Sequence, residues 1–402
     1  MPVTGVAGAR GVCGRTCGRA APDPRGYARP VPAAVPVPPA AGDSVRAWTA
    51  DRLLGAGFEE SRLGPATLVR AAGRPPAPAA AVLHVHGYND YFFQAHLAAA
   101  CAEAGLAFYA VDLRRAGRSL LPPVGGTPEA APEDGPAHDP PPAHNPLPAH
   151  YAASLREPGA DLSAAARAVR ALEPGLPLVV HAHSTGGLTA ALWAHAVRDD
   201  PACAPDLLVL DSPFLDLTGS WLQRAARTPV LEVLGRRRPM AVVSAAPSMY
   251  ATYQHASSGG RWDFDTDLKR PSGQPVRAGW LRAVRRAQLR LARGLGVPCP
   301  VLVARAAASG ADSPANPHLD SQDTVLDVAR IAALAPRLGA DVTQLVVDGG
   351  VHDLTLSADG PRGVYVDGML GWVLGRLPVA APGPPPGTPP GIAPGIAERD
   401  AS

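Results

Sequence analysis

Leu178-Val179-Val180-His181-Ala182-His183-Ser184-Thr185-Gly186-Gly187-Leu188 decides the reading of this chain. A short apolar run of buried-strand character meets a serine among small residues, and a helix-compatible run from Leu188 to Ala196 follows directly. The stretch reads as strand, nucleophile, helix. At such a turn the serine sits in a strained, exposed bend, and its neighbours two before and two after have to be small for strand and helix to pass closely. Ala182 and Gly186 hold those positions, giving A-H-S-T-G where the usual form is G-x-S-x-G. By itself the stretch is equally compatible with Ser184 or Thr185 as a helix N-cap after a buried strand. The rest of the chain decides between the two.

Outward from the elbow, strand and helix patterns alternate. Trp48 to Leu54 is a short amphipathic segment, and Ala66 to Ala71 has the content of a short strand. Ala79 to His86 is a near-continuous apolar run ending at Gly87, as a strand covered on both faces requires. Phe92 to Ala104 has helical spacing with Gly105 as its stop, and Leu106 to Leu113 is a second buried strand. Asp161 to Leu172 reads as a helix with Asp161 near its start, and Asp206 to Leu210 as the strand after the elbow helix. Further on come a strand at Cys299 to Ala304, a helix at Thr324 to Leu338, a strand at Gln344 to Val347 and a closing helix at Val364 to Leu374. The alternation predicts an α/β fold, with a mostly parallel, doubly wound sheet between two helical layers.

Between 214 and 297 the alternation stops for about 80 residues, where a strand-to-helix connection normally takes roughly 2 to 6. Trp221, Trp262, Phe264 and Trp280 lie there among many arginines, which predicts a cap over the C-terminal edge of the sheet. Its last part, Trp280 to Leu295, places Trp280, Val284, Ala287, Leu291 and Leu295 on one helical face, with Arg282, Arg285, Arg286, Arg290 and Arg293 largely on the other. This reads as a helix packed on the sheet with a solvated basic face, membrane attachment being the other reading. The expected organisation is a disordered tail over 1–42, a first core part over 43–213 with a Pro-rich loop at 121–148, a cap insertion and return helix over 214–297, a second core part over 298–378, and a disordered tail over 379–402.

Composition narrows the function. The 402 residues are 46% apolar with a formal net charge of +2, a balance without the basic excess of a nucleic-acid binder. The 47 prolines are unevenly placed, more than half of them in 22–42, 121–148 and 378–394. Neither a signal-peptide core nor a run near the roughly 20 apolar residues of a membrane span is present, so a cytoplasmic protein is expected. The cysteines are odd in number: Cys13, Cys17, Cys101, Cys203 and Cys299. Disulfides are therefore not expected, and Cys13 and Cys17 lack the second ligand pair of a metal site. Neither metal nor organic cofactor is implied.

A serine hydroxyl becomes a useful nucleophile only beside a base, and that base needs a carboxylate to fix its tautomer. In a sheet built around such an elbow the order is serine, acid, histidine. His352, in Asp348-Gly349-Gly350-Val351-His352-Asp353, follows the last strand and is the candidate base. Asp323, in Gln322-Asp323-Thr324-Val325-Leu326-Asp327, is the candidate acid at the start of a helix, where an aspartate also makes a good N-cap. Asp312 is the other candidate. Oxyanion donors are expected from the amide of Thr185, next to the nucleophile, and from Tyr88 in His86-Gly87-Tyr88-Asn89-Asp90. His84 is read as a core histidine.

With these residues placed, the chain resembles the α/β-hydrolase superfamily, and within it monoacylglycerol lipases and bacterial lysophospholipase-like proteins. The matching pieces are His86-Gly87-Tyr88, Asp112-Leu113-Arg114-Arg115-Ala116-Gly117-Arg118-Ser119, His183-Ser184-Thr185-Gly186-Gly187, Asp323 to Asp327 and Gly350-Val351-His352, all within 64–377. Arg115 and Ala116 depart from it, standing where the family usually has glycine and histidine. The resemblance implies an α/β-hydrolase fold and metal-independent hydrolysis of a carboxylic ester, a monoacylglycerol or a lysophospholipid, under a lid. A thioesterase, an acyltransferase and a catalytically silent binding protein are the alternatives. Oligomeric state is not readable.

Overall fold

The computed structural model describes residue 45 and residues 47–122, 147–245 and 248–378. The tails expected at 1–42 and 379–402, nearly all of the Pro-rich loop at 121–148, and Cys13 and Cys17 lie outside the described residues.

The described chain opens with β1 (Thr49–Asp51), β2 (Gly55–Leu63) and β3 (Ala66–Ala71), an antiparallel edge, followed by β4 (Ala81–Val85), α1 (Ala95–Glu103) and β5 (Ala107–Asp112). Next come α2 (Arg156–Leu172), β6 (Leu178–His183), α3 (Ser184–Ala196) and β7 (Leu207–Asp211). The long connection holds α4 (Trp221–Arg237), β8 (Val242–Ser244), α5 (Met249–Gln254), β9 (Val276–Arg277) and α6 (Ala278–Leu291). The sheet resumes with β10 (Val301–Ala306), α7 (Val328–Leu334), β11 (Val342–Val347) and α8 (Asp359–Leu374).

Among the described residues the main sheet has nine strands in the order β1-β2-β3-β5-β4-β6-β7-β10-β11. From β5 to β11 all pairings are parallel. Strands β4, β5, β6 and β7 are buried along their whole length, which is why they read as unbroken apolar runs. Side chains alternate between two cores. Leu83, Tyr109, Val180 and Leu208 face the core closed by α2, α3 and α6, whereas Val82, Phe108, Val179 and Val209 face the one closed by α1 and α8. The register puts the C-terminal ends of β4, β6, β7 and β10 side by side.

Four local expectations are revised. Trp48 to Leu54 is an edge strand and turn, and β2 carries no apolar run because Glu59, Glu60, Ser61 and Arg62 interrupt it. Helix α2 begins at Arg156, so Asp161 sits inside it, its carboxylate held by the Arg114 amide and guanidinium. The helix expected from Thr324 starts at Val328, where Asp327 accepts the Ala329 and Arg330 amides, and tightens to a 3-10 turn at Ala335–Arg337, which contains Pro336. On α6, Trp280, Val284, Ala287 and Leu291 are buried as expected, but Arg285 is buried too. Its guanidinium bonds Asp216 Oδ1 at 2.7 Å and Thr228 Oγ1 at 2.9 Å rather than facing solvent.

Candidate active site

Ser184 sits at the junction of β6 and α3 with φ of +54°, left-handed backbone that a non-glycine residue adopts only when its surroundings impose it. The surroundings are visible. Before it, β6 is locked between β4 and β7; after it, α3 begins at once, and the Phe214 amide donates to the Ser184 carbonyl at 3.0 Å. A Cβ at Gly186 would collide with the His86 carbonyl, so the glycine there lets α3 start against the end of β4. The Ala182 methyl is fully buried within the β4–β6–β7 ladder and fits.

His352 reaches the serine from the loop after β11. Its Nδ1 lies 3.0 Å from Asp323 Oδ2 and its Nε2 2.9 Å from Ser184 Oγ. A carboxylate only accepts, so Nδ1 bears the proton and Nε2 offers its lone pair to the serine hydroxyl. Asp323 is fully buried, and its other oxygen, Oδ1, accepts the Val325 and Leu326 amides at 2.8 Å each. It is thus turn acceptor and histidine partner at once, on different oxygens. Asp312 instead accepts the Tyr250 amide at 2.9 Å. The structure therefore brings Ser184, His352 and Asp323 into one relay and leaves Asp312 out of it.

Thr185 is the second residue of α3, so its amide is among those a helix leaves without an internal acceptor. Gly87 brings the start of the Tyr88 loop close against Ser184: a Cβ on Gly87 would lie 3.0 Å from Ser184 Cβ. The two residues expected to supply oxyanion donors thus line one cavity with Ser184. Arg115, at the departure from the family pattern, holds φ of +63°, and its guanidinium bonds the Tyr151 carbonyl and Glu157, both at 2.6 Å. The left-handed backbone that a glycine would supply is retained by anchoring the side chain.

Beneath the relay lies a polar cluster with no sequence signal. Asp90, His183 and Asp353 each bring a donor atom to within 4.8 Å of the others. That spacing could hold a metal ion, but the chain already places a cation there: Lys269 Nζ, 2.9 Å from Asp90 Oδ1 with both groups buried. Burial pushes His183 down to about 4, so its imidazole is neutral where it packs edge-on against His352. Burial alone would raise Asp353, yet His183 once protonated, Lys269 and hydrogen bonds from Thr355 and Gln94 hold it below the usual carboxylate range. Burial drives Asp211 the other way, well above that range. Tyr250 caps the group, with its hydroxyl accepting the Asp353 amide at 3.0 Å and its ring edge-on to His352. His84 lies apart in the sheet core, 2.8 Å from His181.

Above Ser184 opens a cavity of about 430 Å³ lined by His352, Thr185 and Tyr88 and walled by Phe214, Leu217, Val276, Trp280, Val325 and Leu326. Its apolar wall comes largely from the long connection, and Arg227, Gln274 and Asp312 add polar groups.

A family model described as serine aminopeptidase, S33, matches residues 76–359. Among solved structures the chain is similar to a monoacylglycerol lipase from Paleococcus ferrophilus, at 17% identity and a TM-score of 0.50, over 75% of this chain and 97% of that one. It is similar too to a soluble variant of monoglyceride lipase from Saccharomyces cerevisiae in complex with a substrate analog, at 14% identity and a TM-score of 0.54, over 80% and 95%. No curated protein matches in sequence. At such identities the structural likeness speaks for the fold, including the parallel sheet and its flanking helices.

Proposed function

The chain belongs to the serine aminopeptidase S33 family and has the α/β-hydrolase fold, and from that premise we propose that it is a serine hydrolase that cleaves carboxylic esters. The observation that carries the reading is the continuous relay from Ser184 Oγ through His352 to Asp323, at 2.9 and 3.0 Å, under an apolar cavity. Ser184 Oγ attacks the ester carbonyl carbon while its proton passes to His352 Nε2. The Tyr88 and Thr185 amides take the negative charge on the carbonyl oxygen. As the tetrahedral intermediate collapses, the C–O bond to the alcohol breaks, and the alkoxide leaves with the proton from Nε2. Water, deprotonated by His352, then releases the acid from Ser184 by the same steps. Asp323 keeps the imidazole in the required tautomer throughout.

The substrate proposed is a small ester or lipid with one acyl chain, a monoacylglycerol or lysophospholipid, because Phe214, Leu217, Val276 and Trp280 offer the acyl chain an apolar wall beside the nucleophile. Among the described residues no helix is long and apolar enough to cross a membrane. A cytoplasmic location belongs to the same reading and accords with the buried, unpaired Cys101, Cys203 and Cys299. The test is fluorophosphonate labelling of wild type, Ser184→Ala and His352→Ala, followed by turnover of graded p-nitrophenyl esters, a monoacylglycerol, a thioester and an aminoacyl anilide. Labelling confined to wild type with esters turned over fastest is the expected result. A folded wild type that neither labels nor hydrolyses any ester overturns it.

A further inference from the structure

The loop that carries Tyr88 is short, lies outside helix and strand, and is held from two sides. On the sheet side, His86 Nε2 accepts the Leu113 amide at 3.0 Å, so Nδ1 bears the proton and donates to the Gly87 carbonyl at 2.7 Å. On the other side, each residue from Tyr88 to Tyr91 bonds to the stretch 265–275, far along the chain. The Tyr88 hydroxyl donates to the Pro275 carbonyl at 3.1 Å, and the Tyr91 hydroxyl accepts the Asp265 amide at 2.8 Å. Asn89 clamps a single residue twice: its amide nitrogen donates to the Arg270 carbonyl and its amide oxygen accepts the Arg270 amide, both at 2.9 Å. Asp90 holds Lys269, whose ammonium is screened from water by the rings of Phe93 and Phe264, 4.8 and 5.4 Å away.

A loop of this kind fluctuates unless something fixes it, and an oxyanion donor works only when it is fixed. The donor has to sit about 2.7–3.1 Å from the developing oxyanion, and displacement by about 1 Å costs on the order of 10²-fold in rate. Asn89 also holds φ of +54°, a conformation the Arg270 clamp maintains. We infer that residues 265–275 form a strap that positions the Tyr88 amide over Ser184, with Asn89 and Lys269 as positioning residues acting through that amide. The strap rests on the reading of Tyr88 N–H as an oxyanion donor. It makes the long connection part of the catalytic machinery as well as a cover for the pocket.

The full chain tests this with p-nitrophenyl butyrate turnover, inhibition by an alkyl boronic acid that mimics the tetrahedral intermediate, and inhibition by butyrate, which does not. Asn89→Ala is expected to lower kcat about 10- to 100-fold and to weaken the boronate by the same factor, with KM and butyrate affinity within about twofold. Asn89→Asp, which keeps the acceptor half of the clamp, is expected to fall between. Lys269→Met strands the Asp90 charge and risks the fold, so the double variant Asp90→Asn/Lys269→Met, which removes both charges, serves beside it and is expected to show the same kcat and boronate losses. Folded variants with wild-type kcat, or with a lowered melting temperature but unchanged kcat and boronate affinity, overturn the strap while the hydrolase reading stands. A wild type that neither labels with fluorophosphonate nor turns over any ester removes the hydrolase reading and the strap with it.

Discussion

The two walls of the catalytic pocket are built by different means. On the sheet wall, Ser184 and His352 follow the ends of β6 and β11, whose positions are set by backbone ladders, and Asp323 lies in the loop after β10, its amide donating to the Ala308 carbonyl at 3.0 Å. On the facing wall, the stretch 265–275 lies outside helix and strand, and position is set by single side chains reaching across the sequence. The Tyr88 hydroxyl finds the Pro275 carbonyl, and the Trp262 indole donates to the Leu356 carbonyl at 2.7 Å. The three relay residues are thus held largely by backbone hydrogen bonds, while the loop over them depends on individual side-chain bonds. The first wall should fail all at once and the second one contact at a time.

The largest expected effects sharpen this contrast at the relay. Ser184→Ala should abolish labelling and cost on the order of 10⁶ in kcat. Asp323→Asn should cost about 10⁴, through the wrong imidazole tautomer. Asp312→Asn should change kcat by less than about threefold, since its carboxylate serves the Tyr250 amide. Equal losses at the two aspartates would undo the assignment of the acid.

Stability provides the next comparison. Arg118 is buried between Asp51, Asp112 and the Phe92 carbonyl, tying the first strand to the end of β5. Arg118→Ala should cost about 3–5 kcal/mol by denaturant unfolding, because it strands two buried carboxylates. A loss below about 1 kcal/mol would show that this end of the sheet does not fail as a unit.

Acid should act through buried imidazoles, two of them on β6 and one beside Tyr88. Burial lowers His181 and His183 to about 4 and His150 to about 3. A histidine whose folded pKa lies below its unfolded value of about 6.5 takes up a proton on unfolding. Its contribution is complete above that pH and is lost as pH falls towards 4. Each group then costs roughly 1–2 kcal/mol at pH 5. Asp211, raised by burial, opposes this, and Asp353, lowered, contributes a loss only below the ordinary carboxylate range. The melting temperature should therefore drop between pH 7.5 and 5, and a flat profile would mean that these imidazoles are hydrated. The smallest effect belongs to the other wall: Leu217→Ala should raise KM for a long-chain ester about three- to tenfold and leave a short-chain ester unchanged.

The same contrast governs how much could be read beforehand. Strands β4 to β7 were legible because burial on both faces leaves unbroken apolar runs, and the order serine, acid, histidine was expected from the general rule for an elbow of this kind. Asp323 was preferred to Asp312 only through its place at the edge of an apolar segment. Nothing comparable marked Lys269, Asn89 or Asp90. Their bonds link residues about 180 positions apart and have no period, so neither alternation nor helical spacing points to them. Arg285 misled for a related reason: helical spacing placed it on the polar face, but its partners, Asp216 and Thr228, lie on other segments.

Ser184 has a consequence for how the chain can change over generations. Its left-handed backbone is strain that the proposed nucleophile carries and a glycine would not, so Ser184→Gly should be more stable than Ser184→Ala, with both expected to be inactive. A lineage no longer selected for catalysis would find greater stability at the very position that chemistry had withheld from it.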